Sequence, residues 1–415
     1  MSELRRRPIS RDVLLAIGLL AFAAWAIGKS LTKGLRSNPE PYGRRENWTS
    51  PTGGEINYSA YTFRDRNRDG ILNLGDRPLV DIVVEMTGPR GARARQRSNS
   101  NGFVNFPMSR SILRLGAKIR RPGDYRFRVL CPPGWIITSG NAEQTSRFEE
   151  LPGAVGDLIS VRPTAPIGLA PRLTISSRLL RREASGATVP TTRATLVATA
   201  PSGSPIEAQV GPDGDFEIEA TPGLWRLSVR DARTGAGAER DVAVSDVPVR
   251  LAAIVLGDEP RSSAPRRKVI DFEGLATAGV TKMPNGFEEL DWDYLNAIER
   301  TFAGGEGYSN GITSGHFVAY SSSGHPVTIT SSRPFDFFGA YFAAAWRQAE
   351  GETLLVEATR QGELVAEERV ELSSLGPVWF QADFRGVDRV VLRTARYWQF
   401  VVDDLAIGLA EETSP

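Results

Sequence analysis

The chain has 415 residues, 41% hydrophobic and 24% charged, with a formal net charge of +1. That balance suits two or three folded domains and excludes disorder as the theme. A single cysteine, Cys131, excludes an intramolecular disulfide, and with only two histidines, His316 and His325, no zinc site of usual ligand spacing can be drawn. With 41 glycines, 27 prolines and short runs of Thr, Val and Phe, the expected class is all-β with turn-rich connections.

Arg5, Arg6, Arg7 and Arg11 precede an uncharged run, Val13 to Gly28, that Lys29 ends. This predicts an export segment over residues 1–28, either a signal anchor with the chain after Lys29 outside the membrane, or a signal peptide cleaved after Ala24-Trp25-Ala26. Residues 29–54 are rich in Ser, Asn, Pro, Gly and Arg without periodicity, which predicts a tether.

The most informative stretch follows, Asp65-Arg66-Asn67-Arg68-Asp69-Gly70-Ile71-Leu72-Asn73-Leu74-Gly75-Asp76. Acid or amide side chains at positions 1, 3, 5 and 12 and glycine at 6 form the spacing with which a twelve-residue loop wraps oxygens around Ca²⁺. Asp65, Asn67 and Asp69 are the expected side-chain ligands, Ile71 offers its carbonyl, Asn73 reaches through a water, and Asp76 closes the cage in place of the usual glutamate. The flanks, Tyr58 to Phe63 and Val80 to Met86, alternate as strands rather than helices.

A calcium loop between strands, followed by Gly75-Asp76-Arg77-Pro78-Leu79, Gly102-Phe103-Val104-Asn105-Phe106, Pro122-Gly123-Asp124-Tyr125-Arg126-Phe127 and Pro132-Pro133-Gly134-Trp135, resembles the B-type repeats of bacterial serine-aspartate adhesins. The resemblance implies a calcium-stiffened, prealbumin-like β-sandwich without enzymatic activity over residues 55–168. Within it, eleven basic residues between Arg90 and Arg128 face one acid, Asp124, which predicts a basic surface for an anionic polymer, for lipid headgroups, or simply for water. No aromatic-interleaved motif accompanies it, and nucleic acid is not expected.

A second unit spans residues 171–257. Its Asp213-Gly214-Asp215-Phe216-Glu217-Ile218 and Thr221-Pro222-Gly223-Leu224-Trp225-Arg226-Leu227 parallel Asn101 to Phe106 and Pro122 to Phe127, so one fold is used twice, with Trp225, Leu227 and Val229 facing inward. It resembles the prealbumin-like regulatory domains attached to carboxypeptidases, lacks the calcium loop and reads as a spacer. Residues 258–268 predict a linker.

The third domain, residues 269–409, opens on Val269-Ile270-Asp271-Phe272-Glu273-Gly274-Leu275 and continues through Leu290 to Leu295, Thr313 to Tyr320, Phe335 to Trp346 and Val402-Asp403-Asp404-Leu405. In that order the segments resemble the jelly-roll module of exported bacterial proteins of the PEP-CTERM kind, similar to carbohydrate-binding modules, although no C-terminal sorting motif follows. Jelly-roll termini commonly pair, which would bring Asp271 or Glu273 near Asp403 or Asp404, and crowded carboxylates call for a second Ca²⁺. Trp292, Tyr294, Tyr308, Trp346 and Trp398 are the candidate sugar platforms.

Two motifs invite an enzymatic reading and do not carry it. Gly307-Tyr308-Ser309-Asn310-Gly311 matches G-x-S-x-G, but both histidines follow Ser309 with no acid between, in an antiparallel β pattern. Asp291 and Asp293 flank Trp292 on one strand face, with nothing to raise either pKa. The expectation is a non-catalytic surface protein of three tandem sandwiches, exported and inner-membrane anchored or secreted, presenting a glycan-recognition or adhesion module. The alternatives are a structural subunit that docks surface proteins along its sheet edges and, third, a polysaccharide-active enzyme.

Overall fold

A computed structural model describes residues 56–109, 116–150, 158–161, 164–257, 267–273, 275, 279–300, 302 and 306–409. The expected export segment and tether lie outside these residues, as does most of the linker at 258–268. No described helix is long and apolar enough to cross a membrane.

The described chain is all-β, built from packed sheets, as the composition predicts. In the first sandwich, Arg93–Arg97, Val83–Thr87, Gly123–Leu130, Glu143–Glu150 and Leu158–Ser160 form one antiparallel sheet in that order. The opposing sheet is centred on Ile56–Arg64, which pairs with Arg77–Pro78, Phe103–Met108 and, in parallel, Ile167–Pro171. Alternation decides what goes inside: Tyr125, Phe127 and Val129 of one strand point into a core shared with Tyr58, Phe106 and Phe148. Tyr58, Phe127 and Phe148 stack tilted or edge-on, with centroids 4.7 and 4.9 Å from Tyr58.

The second sandwich repeats this design down to single contacts. Gly102 and Gly214 both take a left-handed φ, 78° and 79°, and in each case a Cβ would lie within 2.5 Å of a backbone oxygen, of Thr62 or of Leu179. A turn pressed against a neighbouring strand therefore demands glycine twice. Tyr125 and Trp225 also each donate to a carbonyl four residues upstream, Arg121 and Thr221. Trp225, Leu227 and Val229 are buried, on the face the alternation predicts.

The second and third sandwiches share one sheet. Val249–Leu251 lies parallel to Thr174–Arg182 on one side and to Val378–Thr394 on the other, producing a 15-stranded sheet. Trp379, Phe338 and Ala406 of the third sandwich pack into the core of the second. Main-chain pairing and a shared core hold the two together more firmly than a tether between tandem beads would. In the third sandwich the 18-residue strand Val327–Ala344 runs between Val378–Thr394 and Phe400–Leu409. Its first strand, Arg267–Ile270, lies antiparallel on its last, Phe400–Leu409, the terminal pairing expected of a jelly roll.

The first sandwich touches both of the others. Asn310 accepts from Val80 N–H at 3.0 Å and donates to Val80 O and Ser374 O at 3.2 and 3.0 Å. Arg347 reaches Asp81, which Arg97 also holds. Replacing Asn310 by alanine would strand a buried N–H and two carbonyls, a cost of about 3 kcal/mol. Urea melts of Asn310→Ala should show that loss together with new protease cleavage between the first and third sandwiches; an unchanged melt would remove Asn310 as the clip.

Candidate functional site

The predicted calcium loop sits where the reading places it, between the strands Ile56–Arg64 and Arg77–Pro78. Asp65 is buried; its Oδ1 accepts from Arg68 N–H at 2.7 Å and its Oδ2 from Gly70 N–H at 2.8 Å. Asp69 Oδ1 accepts from Ile71 N–H, and its Oδ2 receives the amide groups of Asn67 and Asn73 at 2.8 and 2.7 Å. Asp76 ties the loop shut by accepting from Arg66 N–H and Asn73 N–H, both at 3.0 Å. Ile71 is exposed at the loop tip.

The loop is thus a ring of oxygens held by its own amides, and rotating the Asn67 and Asn73 amides would turn oxygen in place of N–H toward Asp69. Such a donor set fits a hard, oxygen-seeking cation. Among the described residues, however, no three acidic, histidine or cysteine side chains converge on one point. Sequence reading missed that the loop's arginines serve the junction. Arg66 and Arg64 both hold Asp246 of the second sandwich at 2.7 Å. Burial opposes ionisation of Asp246, but the two guanidinium groups prevail and keep its pKa below the usual range.

The second expected cation site is not assembled in the third sandwich. Three of its four carboxylates, Asp403, Asp404 and Glu273, take the N–H and O–H groups of one loop, residues 313–317. Asp403 Oδ2 accepts from Thr313 N–H at 2.6 Å, Thr313 Oγ1 at 2.8 Å and Ser314 N–H at 3.2 Å. Asp404 accepts from Thr313 Oγ1 and Ser314 Oγ at 2.8 and 2.7 Å. Glu273 Oε1 accepts from His316 and Phe317 N–H, both at 2.7 Å, while Asp271 is exposed and accepts from Glu273 N–H. Backbone N–H and side-chain hydroxyl groups thus satisfy Asp403, Asp404 and Glu273 in this structure. Burial, and then the charge of Asp404, push Asp403 up to about 7.

The G-x-S-x-G match is a packing element. Its residues form the short helix Glu306–Gly311, laid against Val327–Ala344 and Phe400–Leu409. Ser309 is buried with its hydroxyl unpartnered, and Asn310 is the clip described above.

The candidate aromatics divide sharply. Trp292 and Tyr308 are core residues, 1% and 4% exposed, and Trp346 is half-buried with its Nε1 donating to Gln399. Tyr294 and Trp398 are the exposed pair, at 52% and 37%, joined by Tyr397 at 74%. The turn at residues 322–325 stands between them. Ser322 N–H donates to Tyr294 O, the His325 ring lies 4.7 Å from the Tyr294 ring, and a Cβ on Gly324 would strike Tyr397 O. Tyr294 and Tyr397 hold left-handed φ values of 58° and 60°, costly for aromatic residues. Tyr397 and His325 escaped the sequence reading; the Arg396-Tyr397-Trp398 run between two strands was the available signal.

Four of the eleven basic residues of the expected basic surface of the first sandwich, Arg95, Arg97, Arg126 and Arg128, are paired with acids. Glu85 receives Arg95 and Arg128, Glu143 lies beside Arg126, and Asp81 takes Arg97. These partners sit on neighbouring strands outside the window of sequence that looked one-signed.

No protein-family model matches the chain, and no curated protein matches it. Solved structures with some likeness include the Bacillus anthracis TIE protein, 9% identical, covering 85% of this chain and 48% of that one, with a TM-score of 0.20. The Streptococcal ancillary pilin is 13% identical, covering 49% of this chain and 63% of that one, at 0.20. A structure of CBM51-2 in complex with GlcNAc and INT domains from Clostridium perfringens ZmpB is 14% identical, covering 58% and 49%, at 0.24. This chain spans about half the length of the first of these. Scores of that size carry no argument about function.

Proposed function

We infer that this chain is a non-catalytic, exported recognition protein whose third sandwich offers an aromatic platform to a glycan. The observation that carries the reading is the exposed group Tyr294, Tyr397 and Trp398, the first two of them on left-handed backbone. Exposed rings on a strained turn lose stability unless a ligand uses them, and sugar faces stack on such rings while Arg396 and the Ser322 and Ser323 hydroxyls reach the sugar's oxygens. A glycan array probed with the intact chain tests this. Trp398→Ala and Tyr397→Ala should each weaken binding by about 1 kcal/mol, roughly fivefold, at an unchanged melting temperature. Binding that survives both substitutions, or no binding to any sugar, would reject the platform.

The same reading places Ca²⁺ in the 65–76 loop, on Asp65, Asn67, Asp69, Asp76 and the Ile71 carbonyl, with Asn73 behind a water. Bound there, the ion supplies positive charge to three carboxylates and stiffens the base of the first sandwich. At a hundredfold excess over its Kd it would add about 2.7 kcal/mol, so melting should rise with Ca²⁺ and fall with a chelator. Asp69→Ala, at an exposed position, should abolish that difference and leave the chelated melting point in place. Identical melts with and without chelator in the parent chain would exclude the ion.

A further inference from the structure

Where the three sandwiches meet, they enclose a cleft of about 1120 Å³. The Thr174–Arg182 strand turns Ser176 and Arg178 away from its core into this space, and Arg250 pairs beside Ser176. Trp135 of the first sandwich and Glu371 of the third form other parts of the wall. The cleft is distinct from the aromatic turn, none of whose residues line it.

Its charges are unevenly satisfied. Arg178 pairs with Asp215 at 3.1 Å, and Arg64 gives one nitrogen to Asp246. The Nε of Arg64 and the Nε of Arg250 are both buried with no acceptor. Arg250 has no ion pair at all among the described residues; Glu368 and Asp215 act on it only from a distance. Arg250, half-buried on the cleft wall and without an ion-pair partner among the described residues, leaves a guanidinium charge that an anion arriving from outside can meet. Of the four exposed carboxylates on the cleft walls, Asp215 is held by Arg178 and Glu350 by Ser374, while Glu217 and Glu371 have no cation partner among the described residues and can accept hydroxyl protons.

We propose that this cleft binds a sugar bearing a carboxylate, a uronic acid unit, with the carboxylate on Arg250 and the ring hydroxyls on Glu217 and Glu371. One anionic group finds one unpaired cation, Arg250, on the cleft wall. A densely sulfated chain would meet the two glutamates and be repelled. The site shares with the aromatic turn only the class of ligand.

The test is calorimetric titration of the full chain with oligogalacturonate, with the same oligomer after reduction of its carboxyls to alcohols, and with a heparin fragment. Oligogalacturonate should bind, its reduced form at least about tenfold more weakly, and Arg250→Gln should impose a similar loss on the acidic form. Loss of binding confined to the Arg250→Gln chain places the oligomer in the cleft, whereas a loss that follows Trp398→Ala instead would assign it to the aromatic turn and overturn the cleft proposal. Equal affinity for the acidic and reduced oligomers overturns the proposal even if Arg250→Gln fails to fold. So does undiminished binding by a folded Arg250→Gln chain, a preference for heparin, or no binding of oligogalacturonate.

Discussion

Alanine at Gly307 is expected to cost about 4 kcal/mol or more and to unseat the short helix of the third sandwich. The added Cβ would stand 1.7 Å from the carbonyl oxygen of Ala344, with the carbons of Ala344 and Ala345 inside 3.0 Å. That backbone cannot yield. Ala344 pairs with Phe400 and donates its N–H to Ser373 O, and Gly307 itself donates to Ala345 O at 3.1 Å. Chemical denaturation should show the loss, and near-UV circular dichroism should report altered packing of Tyr308 against Trp346, whose rings meet edge-on at 5.6 Å. Ser309→Ala makes the contrast. Its buried hydroxyl has no partner, so the substitution should be neutral or slightly stabilising. A Gly307→Ala chain that melts like the parent would mean that the helix is not seated on Ala344.

The same five residues show what a sequence can and cannot convey. G-x-S-x-G reads as a catalytic elbow only on a parallel sheet, and here both histidines follow Ser309 with no acid between, in an antiparallel β pattern. What the glycines were for could not be read, because the surface they press on is more than thirty residues away. Strand alternation in Trp225-Arg226-Leu227-Ser228-Val229 was legible because a half-buried sheet imposes period two on its own sequence. The loop between Ile56–Arg64 and Arg77–Pro78 was legible for a similar reason, since its donors and acceptors lie within twelve consecutive residues.

Long-range pairing leaves no such trace. Val249-Arg250-Leu251 is three residues long, and nothing in it announces that it lies parallel to Trp379-Phe380-Gln381 and joins two sandwiches. Burial of aromatics was equally opaque. Trp292 and Trp398 both stand in short mixed stretches, yet one donates to Phe287 O inside the core and the other stands on an exposed turn. Proximity of Asp403 and Asp404 to the domain's first strand was foreseeable from terminal pairing. Their partners were not, because the Thr313-Ser314 donors belong to a loop whose path only the folded chain sets.

That carboxylate pair should make the third sandwich more stable as the pH falls from 8 to 5. Thr313 Oγ1 lies 2.8 Å from Oδ2 of both aspartates, and a hydroxyl has a single proton to give. Both contacts are good only when one carboxyl brings its own proton, and Asp403, fully buried, is the one that burial drives from the ordinary 3.8 to about 7. A carboxyl whose folded pKa is raised binds its proton more tightly in the folded chain. Its stabilising contribution is therefore complete below about 3.8 and is lost as the pH climbs through about 7. Three pKa units correspond to at most about 4 kcal/mol. Asp246 and Asp231, both held below the usual carboxylate range, act in the opposite sense but only in stronger acid, with Asp231 lowered to about 2. Between pH 5 and 8 the stabilising proton is therefore that of Asp403, with Glu368, whose pKa burial also raises, acting in the same sense. Asp403→Asn, which mimics the neutral form, should flatten the pH dependence of melting across that window and match or exceed the parent at pH 8. A parent chain whose stability rises with pH there, or a variant with the parent's slope, would place the proton elsewhere.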